Sequence, residues 1–198
     1  MKPGPFAYAA PHSLDDAIQH YTAALTIDPR HVPALSDLGA AYAQQGQMDL
    51  AIQSWRSALA VDPNAQSARA NLATALAASG RTDEAIEQLR AALRAAPDSV
   101  DALAALTLLL AGDASGANEA VALGERARAL AGTDRLDVAE ALAAAYAASG
   151  RWDAAVAMAA QAVTLAESSS DQAAVDRLRD RLATYRAQAA AVPPARSQ

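Results

Sequence analysis

The sequence has 198 residues, a formal net charge of −6 and no cysteine. This length suits one ordinary domain or a short repeat array, and the absence of cysteine excludes disulfides and thiolate metal sites. Hydrophobic residues, mostly alanine, make up 53% and aromatic residues only 4%. Because alanine is the strongest helix former and buries little area, the composition predicts a nearly all-helical protein with thin, closely packed interfaces.

The charge pattern argues against nucleic acids and membranes as partners. Lys2 is the single lysine and the arginines are spread along the chain, whereas nucleic acids and anionic membranes require a clustered basic face. No window approaches the roughly 20 apolar residues of a membrane span, and no apolar run of signal-peptide length is present. We therefore expect no nucleic-acid partner, no direct membrane insertion and, as the sequence stands, a cytoplasmic location; a leader removed beforehand would leave no trace.

The chain begins with a segment that cannot be helical. Three prolines interrupt residues 1–13 and forbid a regular helix there, so we predict an irregular N-terminal segment. Ser13 then provides an N-cap, and Asp15 and Asp16 place negative charge in the first turn of a helix. This helix is predicted to end before Pro29, because the residue preceding proline avoids helical dihedrals.

From this helix onwards, the chain repeats with a period of 34 or 35 residues. Prolines recur at an interval of 34, at Pro29, Pro63 and Pro97. A small residue follows the same rhythm, as do the glycines that are predicted to end helices: Ala17, Ala51, Ala85, Ala120 and Ala155, and Gly46, Gly80 and Gly150. Three residue classes that share one period indicate stacked copies of a single helical unit.

The second unit carries the fullest pattern. It resembles the tetratricopeptide repeat (TPR), a 34-residue pair of helices, through Leu35-x2-Leu38-Gly39-x2-Tyr42, then Ala51-x3-Trp55, Ala58 and Pro63. The resemblance covers roughly residues 14–167 and implies an all-α, right-handed α-solenoid of helix–turn–helix units. The fourth unit departs from the pattern, because Gly124 stands where the motif has a bulky residue.

Both ends of the predicted array differ from the repeat. We predict one half unit plus four units over residues 14–167, since the first unit has only its second helix. Its face of Ile18, Tyr21 and Leu25, a candidate end interface, then lacks its usual cover. Two alternatives stay open: residues 1–13 fold over this face, or a partner protein or a second copy of the chain covers it.

The C-terminal part is predicted to cap the array. Residues 168–190 form one amphipathic helix with an apolar stripe at Val175, Leu178, Leu182 and Tyr185 and a charged opposite face. Terminal repeats need a polar outer face to remain soluble, so we interpret this helix as a cap. Residues 191–198 are predicted to be a disordered tail.

No motif for catalysis emerges. None of the three histidines, His12, His20 and His31, lies three or four residues from another, so we expect surface or inter-helix histidines and no metal site. The glycine-bearing stretch 112–116 is interpreted as a turn between helices, because the chain has no phosphate-binding motif. We therefore expect no enzyme, no catalytic residue and no cofactor.

The resemblance implies that the first helix of each unit lines a concave groove that binds a partner. Transferred by repeat position, the groove residues are Ser36, Asp37, Ala40, Gln44, Asn71, Thr74, Asp101, Leu108, Asp137 and Glu140, together with Ala78, Ala104 and Ala144. Small residues line this groove and acids lie towards its rim, which suits an amphipathic helix or an extended segment with basic residues. The alternative is that some of these positions only face water.

Two function classes follow from this reading of the sequence. The favoured one is a non-catalytic protein–protein interaction scaffold that binds a peptide or helix of another protein in the concave groove. The alternative is a structural accessory subunit of a larger assembly, docked through its ends or its convex face. A homo-oligomer formed through the N-terminal half unit belongs to the same alternative.

Overall fold

The computed structural model describes residues 13–168 and 171–191, so the predicted segment 1–13, apart from Ser13, and the tail beyond Ala191 lie outside the described residues. The described part consists of α-helices and one short 3-10 turn at Ala114–Gly116. The helices are α1 Leu14–Ile27, α2 Val32–Gln44, α3 Met48–Val61, α4 Gln66–Ala78, α5 Thr82–Ala95, α6 Val100–Leu110, α7 Ala117–Ala131, α8 Leu136–Ala148, α9 Trp152–Ser168 and α10 Gln172–Ala191.

The chain divides into two compact units, unit 1 with residues 1–88 and unit 2 with residues 89–198, and the boundary falls inside α5. In unit 1, α2 packs against α1 and α3, α4 packs against α3, and the first helices α2 and α4 also touch. In unit 2, neighbouring helices pair in chain order from α6 to α10, and α6 contacts α8. This stacking of helix pairs confirms the predicted all-α solenoid fold.

Glycine ends the first helix of three helix pairs in the same way. Gly46 adopts a φ of +77°, in the left-handed region, and Gly80 and Gly150 have φ of +72° and +74°. The N–H of Gln47 then donates to the carbonyl oxygen of Tyr42 at 2.9 Å. This bond is the signature of a Schellman cap, which satisfies a carbonyl at the helix end. The recurring glycines therefore mark turns, as their spacing predicts.

Side chains that accept hydrogen bonds begin several helices. The hydroxyl of Ser13 accepts the Asp16 N–H at 3.2 Å, as its position before α1 predicts. His31 does the same for α2, because its Nδ1 accepts the Ala34 N–H at 3.1 Å. The sequence predicts only a surface or inter-helix histidine at this position. A helix-capping role for His31 is therefore a finding of the structure.

In the core of the second helix pair, the α2 backbone and the side chain of Trp55 on α3 come into close contact. Trp55 on α3 is 3% exposed, and its indole N–H donates to the carbonyl oxygen of Ser36 at 3.0 Å. A Cβ placed on Gly39 would lie 2.6 Å from the indole nitrogen. The α2 backbone can therefore meet the indole only because residue 39 lacks a side chain.

Gly124 on α7 shows how the fourth unit compensates for its missing bulky residue. A Cβ at this position would lie 2.8 Å from Cδ1 of Leu142 and 3.0 Å from Cγ2 of Thr107. Both neighbours are fully buried, and the Thr107 hydroxyl donates to the Leu103 carbonyl oxygen at 2.8 Å. Leu142 and Thr107 thus fill the space that a large side chain on α7 would occupy.

The last helix, α10, packs against α9 and buries the predicted stripe. Val175, Leu178 and Leu182 are at most 8% exposed, whereas Tyr185 at the end of the stripe is half-buried. The helix spans Gln172–Ala191, while α9 extends to Ser168. A capping helix is therefore present, and it begins four residues later than 168.

Candidate partner-binding surfaces

In unit 1, the predicted groove positions of α2 lie on an open helix face. Asp37 and Gln44 are exposed, and Ser36 and Ala40 are half-buried. Ser36 also has a structural role, because its carbonyl oxygen accepts the indole N–H of Trp55. Asp37 forms no ion pair within the described residues, so it is the charged group that this part of the face presents.

The neighbouring helix α4 continues this face with short polar side chains. Asn71, Thr74 and Ala78 are exposed. The Thr74 hydroxyl donates to the carbonyl oxygen of Ala70 at 3.0 Å, so its hydrogen is used within the helix. Asn71 remains the side chain on α4 that offers both an amide donor and a carbonyl acceptor to a partner.

In unit 2, one arginine binds two of the predicted acids. Arg135, the residue before α8, donates to Asp101 at 2.6 Å and to both carboxylate oxygens of Asp137, at 2.6 and 2.9 Å. The hydrogen bond from Arg135 is the main reason that the pKa of Asp137 lies below its usual range. Arg135 offsets much of the negative charge that the sequence places at this part of the rim.

The third predicted acid of unit 2 is shared by two arginines of α10. Glu140 accepts a hydrogen bond from Arg177 at 2.8 Å, and the guanidinium of Arg181 lies 4.0 Å from the same carboxylate oxygen. The side chain of Glu140 is 16% exposed. Two cations therefore face one largely covered carboxylate, and this part of unit 2 carries a local excess of positive charge.

Sequence reasoning missed these arginines because it considered only the first helices of the repeats. Arg135 precedes its helix, and Arg177 and Arg181 belong to the cap, for which the sequence predicts only a charged outer face. A usable signal was present, since a stripe at Val175, Leu178 and Leu182 places Arg181 beside the buried face of the same helix.

The prediction that Ala104 lines the groove is wrong, because this residue is 4% exposed and belongs to the core.

The ends of α6 and α8, the start of α9 and the second half of α10 line an open, shallow groove with a volume of about 570 Å³. We call it the unit 2 groove. The predicted residues Leu108 and Ala144 belong to its wall, and the full lining is Leu108, Ala111, Gly112, Ala144, Ala147, Ala148, Trp152, Arg181, Thr184, Tyr185 and Gln188. The sequence predicts acids towards the rim of the groove, whereas none of these lining residues is a carboxylate.

Aromatic rings form one side of the unit 2 groove. The rings of Trp152 and Tyr185 lie with their centroids 6.3 Å apart and their planes inclined by 49°, an arrangement typical of aromatic pairs. Burial raises the pKa of the Tyr185 hydroxyl, while the positive charge of Arg181 opposes this change. Leu108 on α6 is 47% exposed, although it is a large apolar residue. The groove therefore combines accessible apolar surface with one cation.

The candidate end interface lies on α1. Ile18, Tyr21 and Leu25 are half-buried, and α1 contacts α2 but has no fully buried residue. Ile27 at the end of the helix is 87% exposed. The structure thus brings the three predicted residues together on one helix, and α1 contributes less to the core than α2 or α3 does.

The remaining chemistry of the described residues is sparse. Within residues 13–168 and 171–191, no three His, Asp or Glu side chains gather in an arrangement that could hold a metal ion. Among the helices of the same ranges, none combines the length and apolarity that crossing a bilayer requires. His12 lies outside the described residues, and His20 is exposed on α1.

The fold and the first-helix surfaces define a helical repeat protein of the kind that stacks antiparallel helix pairs. Three family models confirm the class, each described as tetratricopeptide repeat, and they match residues 8–54, 36–100 and 139–173. Together these matches cover more than half of the chain, and the protein belongs to the TPR family. No curated protein matches its sequence significantly.

Solved structures support the same fold. The crystal structure of MamA has a TM-score of 0.69 and 24% identity, and the match covers 79% of this chain and 91% of MamA. TTC0263, a thermophilic TPR protein of Thermus thermophilus, has a TM-score of 0.63 and 25% identity over 87% of this chain and 90% of its own. YrrB, a TPR protein with an unusual peptide-binding site, has a TM-score of 0.69 and 18% identity, and the match covers 84% of each chain.

Proposed function

We propose that this protein is a non-catalytic interaction scaffold that binds a peptide or a helix of another protein on the face formed by the first helices of its repeats. One observation carries the proposal: the unit 2 groove, which is open and has a volume of about 570 Å³, presents large apolar and aromatic side chains, Leu108, Trp152 and Tyr185. Recesses of this size that are mostly apolar, with a few polar groups, are typical ligand sites.

The fold adds independent support. A stack of helix pairs presents one helix of each pair on a common face, so that a segment can contact several repeats at once. YrrB, which shares the fold, is a TPR protein with an unusual peptide-binding site. In unit 1, the exposed polar residues Asp37, Asn71 and Thr74 would add specificity to the binding of a segment on that unit.

The proposal is tested with peptides and three matched substitutions. A library of random short peptides displayed on phage is selected on the immobilised full chain, and the affinities of single peptides are measured by fluorescence polarisation. Ala78→Arg blocks the unit 1 face, Ala144→Arg blocks the unit 2 groove, and Ala157→Arg on an exposed position of α9 is the control. We expect one of the two blocking variants to weaken binding by about tenfold or more.

The control defines the result that would overturn this proposal. Ala157→Arg adds the same bulk and charge to a second helix, so it should leave the affinity within about twofold of the wild type. Equal binding by all three variants would place the contact elsewhere. Failure to select any peptide would count against peptide binding altogether.

An accessory subunit docked through an end is the second candidate, and one observation favours it. Ile27 is 87% exposed at the end of α1, beside the half-buried candidate interface. Because this side chain has almost no contacts to lose, Ile27→Arg should fold normally while it prevents apolar docking at that end. The measurement is quantitative mass spectrometry of proteins that copurify with the tagged wild type and with the variant. Identical sets of partners would exclude docking through Ile27.

A further inference from the structure

The charge of the unit 2 groove distinguishes between partners. Among its lining residues, Arg181 is the charged one, and the others are apolar or neutral. Its guanidinium lies 4.0 Å from Glu140, at the outer limit of an ion pair, and makes no hydrogen bond to any described residue. Arg177 already donates to the same Glu140 oxygen at 2.8 Å. The hydrogen-bonding capacity of the Arg181 guanidinium is therefore largely unused.

An arginine in this position can bind a carboxylate well. The guanidinium presents five N–H donors in a planar fork that matches a carboxylate. The Arg181 side chain is 38% exposed, and its neighbour on the groove wall is the half-buried Tyr185. Partial burial and apolar surroundings reduce the screening by water, which strengthens an added ion pair. A basic ligand would instead face the positive charge of Arg181, and none of the residues that line the groove is an acid that could pair with it.

The apolar walls specify what must stand beside the carboxylate. Leu108 on α6 and the Trp152–Tyr185 pair line the same groove as Arg181, and the small residues Ala144 and Ala148 also belong to its lining. Small residues leave room for bulky side chains from a partner, and the aromatic rings offer flat apolar surface. An aliphatic or aromatic side chain next to an acidic residue therefore matches both the shape and the charge of the groove.

We propose that the unit 2 groove binds a partner segment in which an Asp or Glu is flanked by bulky apolar side chains, with Arg181 holding the carboxylate. This inference rests on the proposed function and reverses the sequence-based expectation of a basic segment. The carboxylate pairs with the arginine that Glu140 leaves largely unused, and the apolar side chains cover Leu108, Trp152 and Tyr185.

Two displayed peptide libraries test which sign of charge the unit 2 groove prefers in a bound peptide. They are identical except that the central position is fixed as Glu in one and as Lys in the other, with random residues around it. On the wild-type chain, we expect binders from the Glu library only, with bulky apolar residues next to the fixed Glu. Arg181→Glu should reverse the preference towards the Lys library. Arg186→Glu, an equal charge change at an exposed position of α10 outside the groove, is the matched control and should keep the preference for Glu.

A selected peptide then tests the contact directly. Changing its Glu to Gln, or changing Arg181→Gln in the protein, should weaken binding by about tenfold or more, because each change removes a charge-assisted pair. The double change should cost little beyond either single one, since both remove the same contact. Arg181→Lys should retain part of the affinity, because it keeps the positive charge but loses the planar fork.

Trp152 reports whether the peptide is bound in the unit 2 groove. The chain has two tryptophans, of which Trp55 is buried in unit 1 and Trp152 is half-buried in the groove. Binding should shift the emission of Trp152 and protect it from acrylamide, and Trp152→Phe should abolish this response. A full response that persists in Trp152→Phe would overturn the assignment.

Each other outcome contradicts the inference in a separate way. Peptides that bind without a preference for Glu, or that are insensitive to Arg181 but sensitive to Ala78→Arg or Ala144→Arg, would refute it and leave the proposed function intact. Failure of both libraries would refute both. Light scattering that shows a dimer, lost in Arg181→Glu but not in Arg186→Glu, would identify a second copy of the chain as the occupant and overturn the proposal of a separate partner.

Discussion

At the scale of single residues, Gly39 has the sharpest steric requirement in unit 1. A Cβ there would collide with the Trp55 indole at 2.6–2.9 Å, and this indole is held by its bond to the Ser36 carbonyl. Gly39→Ala gains about 1 kcal/mol of helix propensity, but overpacking of a rigid neighbour costs about 1–3 kcal/mol. We expect a net loss of stability of about 1 kcal/mol, measured by urea denaturation.

The control for Gly39→Ala removes the collision by making the neighbouring side chain, Trp55, smaller. Trp55→Phe removes the five-membered ring of the indole, which contains all three colliding atoms, Nε1, Cε2 and Cδ1. In that background, Gly39→Ala should be neutral or stabilising, because the propensity gain remains while the clash is reduced. If Gly39→Ala destabilises both backgrounds equally, the indole is not the cause.

The ion pairs of Arg135 predict a dependence of stability on acidity. The folded-state pKa of Asp137 is lowered, first by its hydrogen bond from Arg135, so the ionised form stabilises the fold. This stabilisation is present above the unfolded pKa of about 3.9 and disappears as the pH falls through the lower folded value. Because both side chains are largely exposed, with 40% and 50% accessibility, we expect a contribution below about 1 kcal/mol.

The measurement compares the wild type with Asp137→Asn in urea between neutral pH and about pH 3. The wild type should be more stable at neutral pH, and the difference should narrow on acidification. Asp37→Asn is the control, because Asp37 is exposed and has no ion pair in the described residues. A difference that stays constant with pH would show that the Asp137 carboxylate does not stabilise the fold.

At the scale of helices, α7 shows that a repeat can exchange a large residue for a small one. Restoring the motif with Gly124→Leu should destabilise the protein, because Leu142 and Thr107 already occupy the space at 2.8 and 3.0 Å from the added Cβ. Overpacking typically costs about 1–3 kcal/mol, and we expect a value of about 3 kcal/mol, since four carbons are added. Thermal and urea unfolding of the variant measure this loss.

The rescue of Gly124→Leu provides its control. Leu142→Ala alone creates a cavity and should cost about 2–5 kcal/mol, whereas the combination should recover much of this cost because the new leucine fills the vacated space. Strict additivity of the two losses would contradict the exchange of volume between α7 and α8. The circular dichroism of each variant confirms that it remains helical.

The repeat explains why the fold could be predicted from the sequence. Residues such as Leu38, Trp55 and Ala58 pack within one helix pair, so their spacing along the chain carries the contact information. The volume exchange at Gly124 could not be predicted, because Thr107 and Leu142 reach it from two other helices. A missing bulky residue is visible in the sequence, but the side chains that replace it are not.

The candidate site was predictable only in part, for an electrostatic reason. Leu108 and Ala144 follow from their repeat positions, and both line the unit 2 groove. The charge of the other predicted positions in unit 2 depends on pairs far apart in sequence, such as Arg177 with Glu140 and Arg135 with Asp101. Counting the acids of the first helices therefore predicts a negative surface, whereas the cap and the inter-helix turns supply the compensating arginines.

At the scale of the whole molecule, burial predicts an uneven distribution of local stability. The helix α8 contains seven buried residues, whereas α1 contains none. Because each repeat contacts only its neighbours, a terminal helix with little burial opens without unfolding the rest. The amides of α1 should therefore exchange with deuterium at least about a hundredfold faster than those of α8, which corresponds to ~3 kcal/mol in the free energy of opening. Mass spectrometry of peptides from both helices, at several protein concentrations, measures the two exchange rates. Equal protection of α1 and α8 would contradict the prediction. Protection of α1 that rises with protein concentration would mean that another copy of the chain covers its exposed face.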